Sequence, residues 1–323
     1  MVVSRSAPSA PRASAASSAP RGVLFKQRLG AQLSLDHYPP SPELARYVVR
    51  YWIARWQLPA GERREQRVIP HPCANLEIED DGVRVYGVKS RTTTVVARGS
   101  GRIVGVKLAP GALRAFWSRP AAELTDRHVP VRQVFSAPAA AWIAAAALEP
   151  AAPRGGAVPR AGAVPRGGAV PRAGAVPRAG AASRAGGDEP GVRPAMAARL
   201  DALIARDVPA VMDPRLVEVQ HVHDDIAAQR AILHVDELAA RHGRSVRSLQ
   251  VLFRDYLGVS PKWIIMRYRM HEAAERIAAD PGVQLARLAR ELGYFDQAHF
   301  SRNFSQVVGM PPAKYAQGHR EIT

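Results

Sequence analysis

Residues 288–315 read Leu288-Ala289-x3-Gly293-Tyr294-x-Asp296-x-Ala298-His299-Phe300-Ser301-Arg302-x-Phe304, closing on Gly309-Met310-Pro311-Pro312-x2-Tyr315. This stretch decides the fold. Leu285, Leu288 and Leu292 recur at helical spacing, and Gly293 stands just past them, where a left-handed residue closes a helix. Asp296 is placed to cap a second helix over about 297–307, which packs inward through Phe300, Phe304 and Val307. Two short helices joined by a glycine turn make a helix-turn-helix.

The same pattern stands about 50 residues upstream as Leu238-Ala239-x3-Gly243-x-Ser245-x3-Leu249-x3-Phe253-x4-Gly258-x2-Pro261. After one inserted residue in the second turn, every later position matches at an offset of 51. Val235 to His242 reads as the first helix of this unit and Ser245 as the cap of the next, over about 246–256, whose packed residues are Leu249, Leu252, Phe253 and Tyr256. Between the units, Ser260-Pro261 opens a helix running to about Ala279, where Asp280-Pro281-Gly282 stops it. Its expected buried stripe is Trp263, Met266, Met270, Ala273 and Ile277. About nineteen residues at ~1.5 Å each span roughly 28 Å, comparable with the ~34 Å between successive major-groove faces of DNA.

Residues 232–318 on these motifs resemble the double helix-turn-helix DNA-binding domain of the AraC/XylS family of bacterial transcription regulators. The resemblance implies an all-α C-terminal domain, double-stranded DNA as partner, and two recognition helices that read successive major grooves. Carried over residue by residue, it marks Arg247, Gln250 and Arg254 on the first recognition helix and Gln297, Ala298, Ser301 and Arg302 on the second as DNA-binding, with Ser245 and Asp296 as helix caps. Where the family often has a basic residue this chain has Val251, so no charged contact is carried over there. The other reading of these side chains is a solvated helix face. Gln250 and Ser301 fall at matching repeat positions, whereas Arg247 matches Ala298 and Arg302 matches Val251. His299, beside core Phe300, either packs or touches phosphate.

Upstream, residues 194–231 read as a helical connector with Met196, Leu200, Leu203 and Ile204 on one stripe. Residues 151–193 are expected to be a disordered insert. Ala-Val-Pro-Arg-(Ala/Gly)-Gly recurs there with a period of six, placing Pro153, Pro159, Pro165, Pro171 and Pro177, and each proline removes a backbone donor. Residues 138–150 form a helical segment. Residues 23–137 are β-rich, with short β-branched runs at Val68-Ile69, Leu76–Glu79, Val83–Val88, Thr92–Ala97 and Ile103–Leu108, separated by turns such as Asp81-Gly82, which suggests a sandwich or barrel. Residues 1–22, rich in Ser, Ala, Pro and Arg, read as a disordered tail.

The β-rich segment resembles the cupin-like domain of one AraC subgroup through Tyr51-Trp52 with Trp56, Ile69-Pro70-His71-Pro72-Cys73-Ala74-Asn75-Leu76, Tyr86-Gly87-Val88 and Gly105-Val106-Lys107-Leu108-x-Pro110-Gly111. That implies a sensor or dimerisation module. The fold class is then α+β and multidomain.

Composition limits the alternatives. The chain has 323 residues, 47% hydrophobic and 23% charged, enough for two modest cores. Its longest apolar run, Ala139–Leu148, is about half of the ~20 residues a membrane span needs. The single cysteine, Cys73, excludes an internal disulfide or a cysteine-rich zinc module. Of the formal charge of +17, eleven units lie in residues 1–35 and 151–187, so the high charge does not by itself mark the folded parts as phosphate-binding. Cys73 reads as packed and inert. His71, Asn75, Glu77 and Glu79 could be imagined as cupin ligands, but the His-x-His with a following Glu and distant His is absent, so no metal and no cofactor is expected. His221-x-His223 reads as a solvated pair in the connector, and Trp52, Trp56 and Trp117 as core, an aromatic-lined effector pocket being the other reading.

These readings converge on a cytoplasmic, nucleoid-associated transcription regulator, an activator or a repressor. RNA polymerase, a small-molecule effector and a second copy of the chain are further candidate partners, and no membrane is involved. The competing classes are a cupin-type enzyme fused to a DNA-binding domain and a non-specific DNA-coating protein.

Overall fold

The computed structural model describes Leu24 and residues 32–148, 195–229 and 231–321. The expected tail at 1–22 and the repeat insert at 151–193 lie outside the described residues, as do residues 149–150 of the expected helical segment and residues 194 and 230 of the expected connector. The N-terminal part holds strands β1 (Leu33–Tyr38), β2 (Val48–Gln57), β3 (Arg63–Val68), β4 (Asn75–Glu79), β5 (Gly82–Tyr86), β6 (Thr93–Arg98), β7 (Ser100–Leu108) and β8 (His128–Pro130). Six of them form an antiparallel sheet in the order β1-β2-β7-β4-β5-β8, and β3 pairs with β6 in a separate two-stranded ribbon. The β-branched runs correctly locate β4 to β7, whereas β1 and β2 carry charged and aromatic residues that disguise their alternation.

Side-chain alternation sorts the sheet into two faces. Tyr51, Ile53, Leu76, Ile78, Val85, Val104 and Val106 are buried on one face. Helix α1 (Leu113–Phe116) and helices α2 (Ala137–Leu148), α3 (Ala195–Asp207) and α4 (Pro214–Ala228) follow in the chain, and the apolar residues of α3 and α4 join this core through Leu200, Ile204, Leu216 and Val219. One buried carboxylate anchors α3 to the sheet: Asp201 accepts hydrogen bonds from the Tyr51 hydroxyl at 2.7 Å and the Ser41 backbone N–H at 3.0 Å. The connector stripe differs from expectation at one end, where Ala197 is buried and Met196 only half-buried.

The C-terminal part is all helix: α5 (Val235–Arg241), α6 (Val246–Tyr256), α7 (Pro261–Ala279), α8 (Leu285–Glu291), α9 (Gln297–Val308) and α10 (Pro312–Arg320). Its two repeat units belong to different cores. Leu238, Leu249, Phe253 and Ile264 continue the core under the sheet, while Met270, Ile277, Leu288, Phe300, Phe304 and Tyr315 form a second one that also takes in Ile69 from the N-terminal part. Helix α7 therefore spans both cores. This corrects its expected stripe: Ile264 and Ile265 are buried in its first half, and Trp263 and Met266 stay half-buried. A single period cannot describe a helix that turns different faces to two cores, and the Trp263 ring is instead covered by the Arg267 guanidinium, 4.3 Å away.

Candidate nucleic-acid interface

Each recognition helix begins on a side-chain cap. The Ser245 hydroxyl accepts from Ser248 N–H at 3.1 Å, and the Asp296 carboxylate accepts from His299 N–H at 2.6 Å. Both caps satisfy the third amide of their helix, one of the orphan donors of any helix start. The preceding turns need left-handed backbone, and Gly243 and Gly293 supply it with φ of 59° and 75°. The repeat seen in the residues is thus a repeat in backbone geometry.

The helices then divide into two faces. In α6, Leu249, Leu252, Phe253 and Tyr256 are buried while Arg247, Gln250 and Arg254 are exposed, lying about one turn apart along the outer side. In α9, Phe300, Phe304, Val307 and Val308 are buried while Gln297, Ala298 and Arg302 are exposed and Ser301 is half-buried. Val251 is 54% exposed between Gln250 and Arg254, an apolar group suited to a thymine methyl rather than to phosphate. His299 is exposed and lies edge-on to the Tyr294 ring at 5.1 Å. One exposed neighbour escaped the sequence reading: Phe295, 94% exposed in the turn leading into α9. Its position in the motif suggested only a turn residue, and exposure is what singles it out.

The N-terminal part touches both recognition helices at their C-terminal ends. Thr125 Oγ1 donates to the Gly258 carbonyl at 2.7 Å, just past α6, and Arg114 pairs with Asp255 at 3.1 Å. Just past α9, Arg67 Nη1 donates to the Gly309 carbonyl at 3.3 Å, and in the last turn of α9 the Thr92 hydroxyl donates to the Val307 carbonyl. Between them, the buried Arg267 of α7 donates to the Ser90 carbonyl, and burial pulls its guanidinium down to about 10, the Asp126 carboxylate opposing that shift. Farther along α7, the His271 ring stacks on His71 with centroids 4.4 Å apart. A cavity of about 160 Å³ opens beside this pair, lined also by Tyr268, Glu272 and Glu275 of α7 and Glu291 of α8. None of these ties was legible in the sequence, because each joins residues more than a hundred positions apart.

Of the other expected residues, Cys73 and Trp117 are buried as expected, whereas His223, Trp52 and Trp56 are not placed as expected. Cys73 is buried, and burial pushes its thiol up. His71 faces His271 rather than joining Glu77 and Glu79, and among the described residues no three His, Cys, Asp or Glu side chains are grouped so as to hold a metal ion. His221 is exposed, but His223 is buried with Nε2 at 2.9 Å from the Tyr268 hydroxyl, which corrects the solvated reading: α4 turns alternate residues to different sides. Trp117 is core, while Trp52 and Trp56 are half-buried on the sheet face turned away from it.

Residues 238–318 match a family described as a helix-turn-helix domain, and residues 36–130 match one described as a domain of unknown function. No curated protein matches the chain. Solved structures that it is similar to include a transcriptional regulator with an AraC-type DNA-binding domain from Chromobacterium violaceum, at 23% identity over 33% of this chain and 92% of that one, with a TM-score of 0.28. The C-terminal domain of AraT, a response regulator from Geobacillus stearothermophilus, matches at 23% identity over 34% of this chain and 88% of that one, TM-score 0.29. ToxT from Vibrio cholerae O395 matches at 8% identity over 88% of this chain and 96% of that one, TM-score 0.33. Among the described residues no helix is long and apolar enough to cross a membrane.

Proposed function

We propose that this chain, a DNA-binding transcription regulator with an AraC-type helix-turn-helix domain behind an N-terminal regulatory region, reads one specific site by laying α6 and α9 in successive major grooves. The observation that carries the reading is the matched pair of capped helices, each with an apolar inner face and an outer face holding Gln250 or Ser301 at the same repeat position. Arginine suits guanine and glutamine suits adenine in the major groove, which gives Arg247, Gln250 and Arg302 base-reading roles. Arg254, Gln297 and Ala298 complete the two reading faces.

The N-terminal part acts in this reading as the regulatory half, doing no chemistry of its own, and its ties to Gly258 and Gly309 supply a route by which it biases the recognition helices. A cytoplasmic location, a second copy of the chain and contact with RNA polymerase belong to the same proposal. The test is a spacing series. Once a bound site has been selected from genomic fragments, inserting about half a helical turn, ~5 bp, between its half-sites should abolish the preference for that site. Retained affinity after the insertion would leave a single reading helix and overturn the two-groove geometry.

A further inference from the structure

The sheet face turned away from the core holds two cations that, among the described residues, no carboxylate neutralises; the acidic group near both is the Cys73 thiol, which burial keeps protonated. The strand register sets Arg50 of β2 directly opposite Lys107 of β7, with Asn75 of β4 on the other side of Lys107. Both cations are half-buried. Like charges directly opposite on neighbouring strands are destabilising, and partial burial adds to the cost. Burial holds Lys107 below the usual lysine range, with the Cys73 thiol opposing that shift and the Arg50 charge adding to it, and burial lowers Arg50 as well, again opposed by Cys73.

Among the described residues no carboxylate pairs with either cation. Glu77, one rung along, has its carboxylate 3.8 Å from Lys89. The chain's own N-terminal segment cannot neutralise them, since residues 1–35 hold five basic residues and no acidic one.

Beside the pair, two tryptophans lie close over two strand glycines. Trp52 lies so close over Gly105 that a Cβ there would stand 1.9 Å from the indole, and Trp56 covers Gly101 in the same way at 2.4 Å. Glycine inside a strand weakens it unless something must approach the backbone closely. Here the tryptophans do, and the Trp52 indole covers Gly105 one rung from the two cations.

We propose that Arg50 and Lys107 form an anion-binding subsite, with Trp52 as its platform, for a small organic molecule that joins a carboxylate or phosphate to a flat apolar body. An arginine fork beside a lysine suits the oxygens of such a group, and the ligand's charge relieves the repulsion between the two cations. The proposal rests on the reading of the N-terminal part as regulatory. Its test needs no DNA, so its failure is distinct from failure of the DNA-binding reading.

The experiment is calorimetric titration of the full chain with phenylacetate and phenyl phosphate, with benzyl alcohol as the ring without charge and inorganic phosphate as the charge without ring. At least one of the two organic anions should bind, and each of Arg50→Gln and Lys107→Met should weaken it about tenfold, as for loss of one charged hydrogen bond. Lys89→Met should not. At a pH high enough for Lys107 to have lost part of its charge, binding should take up protons as the lysine recovers it, which calorimetry in buffers of different ionisation enthalpy reads directly. Thermal unfolding of the Lys107→Met protein without ligand, at or above the wild-type temperature, separates lost binding from lost folding. The proposal is overturned if neither organic anion binds at millimolar concentration, if both variants bind as the wild type does, or if benzyl alcohol binds as tightly. Equal affinity for inorganic phosphate and phenyl phosphate would overturn the role given to Trp52.

Discussion

Thr125 Oγ1 lies 2.7 Å from the carbonyl oxygen of Gly258, so a residue of the N-terminal part closes the C-terminal end of the first recognition helix. Gly258 has φ of 76°, and a Cβ there would stand 2.6 Å from Thr125 Oγ1 and 2.9 Å from the Ala121 carbonyl. The approach thus depends on glycine twice, for its backbone conformation and for its missing side chain. Arg67 and Thr92 make the equivalent tie at the far end of the second recognition helix. One region therefore holds the far ends of both α6 and α9.

Thr125→Val should cost about 1 kcal/mol of stability in denaturant unfolding, the net worth of one neutral hydrogen bond. Gly258→Ala should cost more, since alanine is strained at that φ and also collides. Equal effects of the two substitutions would mean that the close approach is not maintained.

The helix caps offer a cleaner comparison because they sit at repeat-equivalent places. Ser245→Ala and Asp296→Ala should each cost about 0.5–2 kcal/mol. Glycine at either position should cost less than alanine, and unfolding curves of the four variants check both statements.

Much of the C-terminal domain was legible for a physical reason. Caps, closing glycines and one-sided apolar stripes are local devices, and this chain uses them twice. The stripe expected for α7 differs from the buried one because that helix is shared between two cores, which no local period encodes. In the N-terminal part β2 escaped notice because Arg50, Trp52 and Trp56 share a strand with Tyr51 and Ile53, and polar and aromatic side chains on the outer face mask the alternation. The outward residues of α6 and α9 were found from sequence, whereas the threonine and arginine ties to their far ends depend on how the chain closes on itself.

Tyr51→Phe tests the anchor between sheet and connector. It removes the hydroxyl that Asp201 accepts from at 2.7 Å inside the core, at a cost of about 1–3 kcal/mol. A loss below about 0.5 kcal/mol would show that Asp201 does not depend on this donor.

The cation pair predicts a pH dependence with a definite sign. Lys107 is lowered from 10.5 in the folded protein, so between its folded value and 10.5 the unfolded chain binds more protons and stability rises with pH. Below that window the lysine is charged in both states and the full cost of burying it is present. Lys107→Met should therefore be more stable than wild type at the low end, and the gap should narrow as the pH rises toward 10.5. A gap that stays constant or widens would contradict the burial of a charged lysine.

The central claim is that the outer faces of α6 and α9 read bases, and the most direct measurement is the ratio of affinities for a selected duplex and its scrambled counterpart at one salt concentration. For the wild type the ratio should be well above one. Arg302→Ala and Gln250→Ala should each reduce it by the equivalent of ~1–3 kcal/mol, with relaxed preference at one base step, while binding to scrambled DNA changes far less. A wild-type ratio near one, or a ratio that neither substitution alters, would contradict the account.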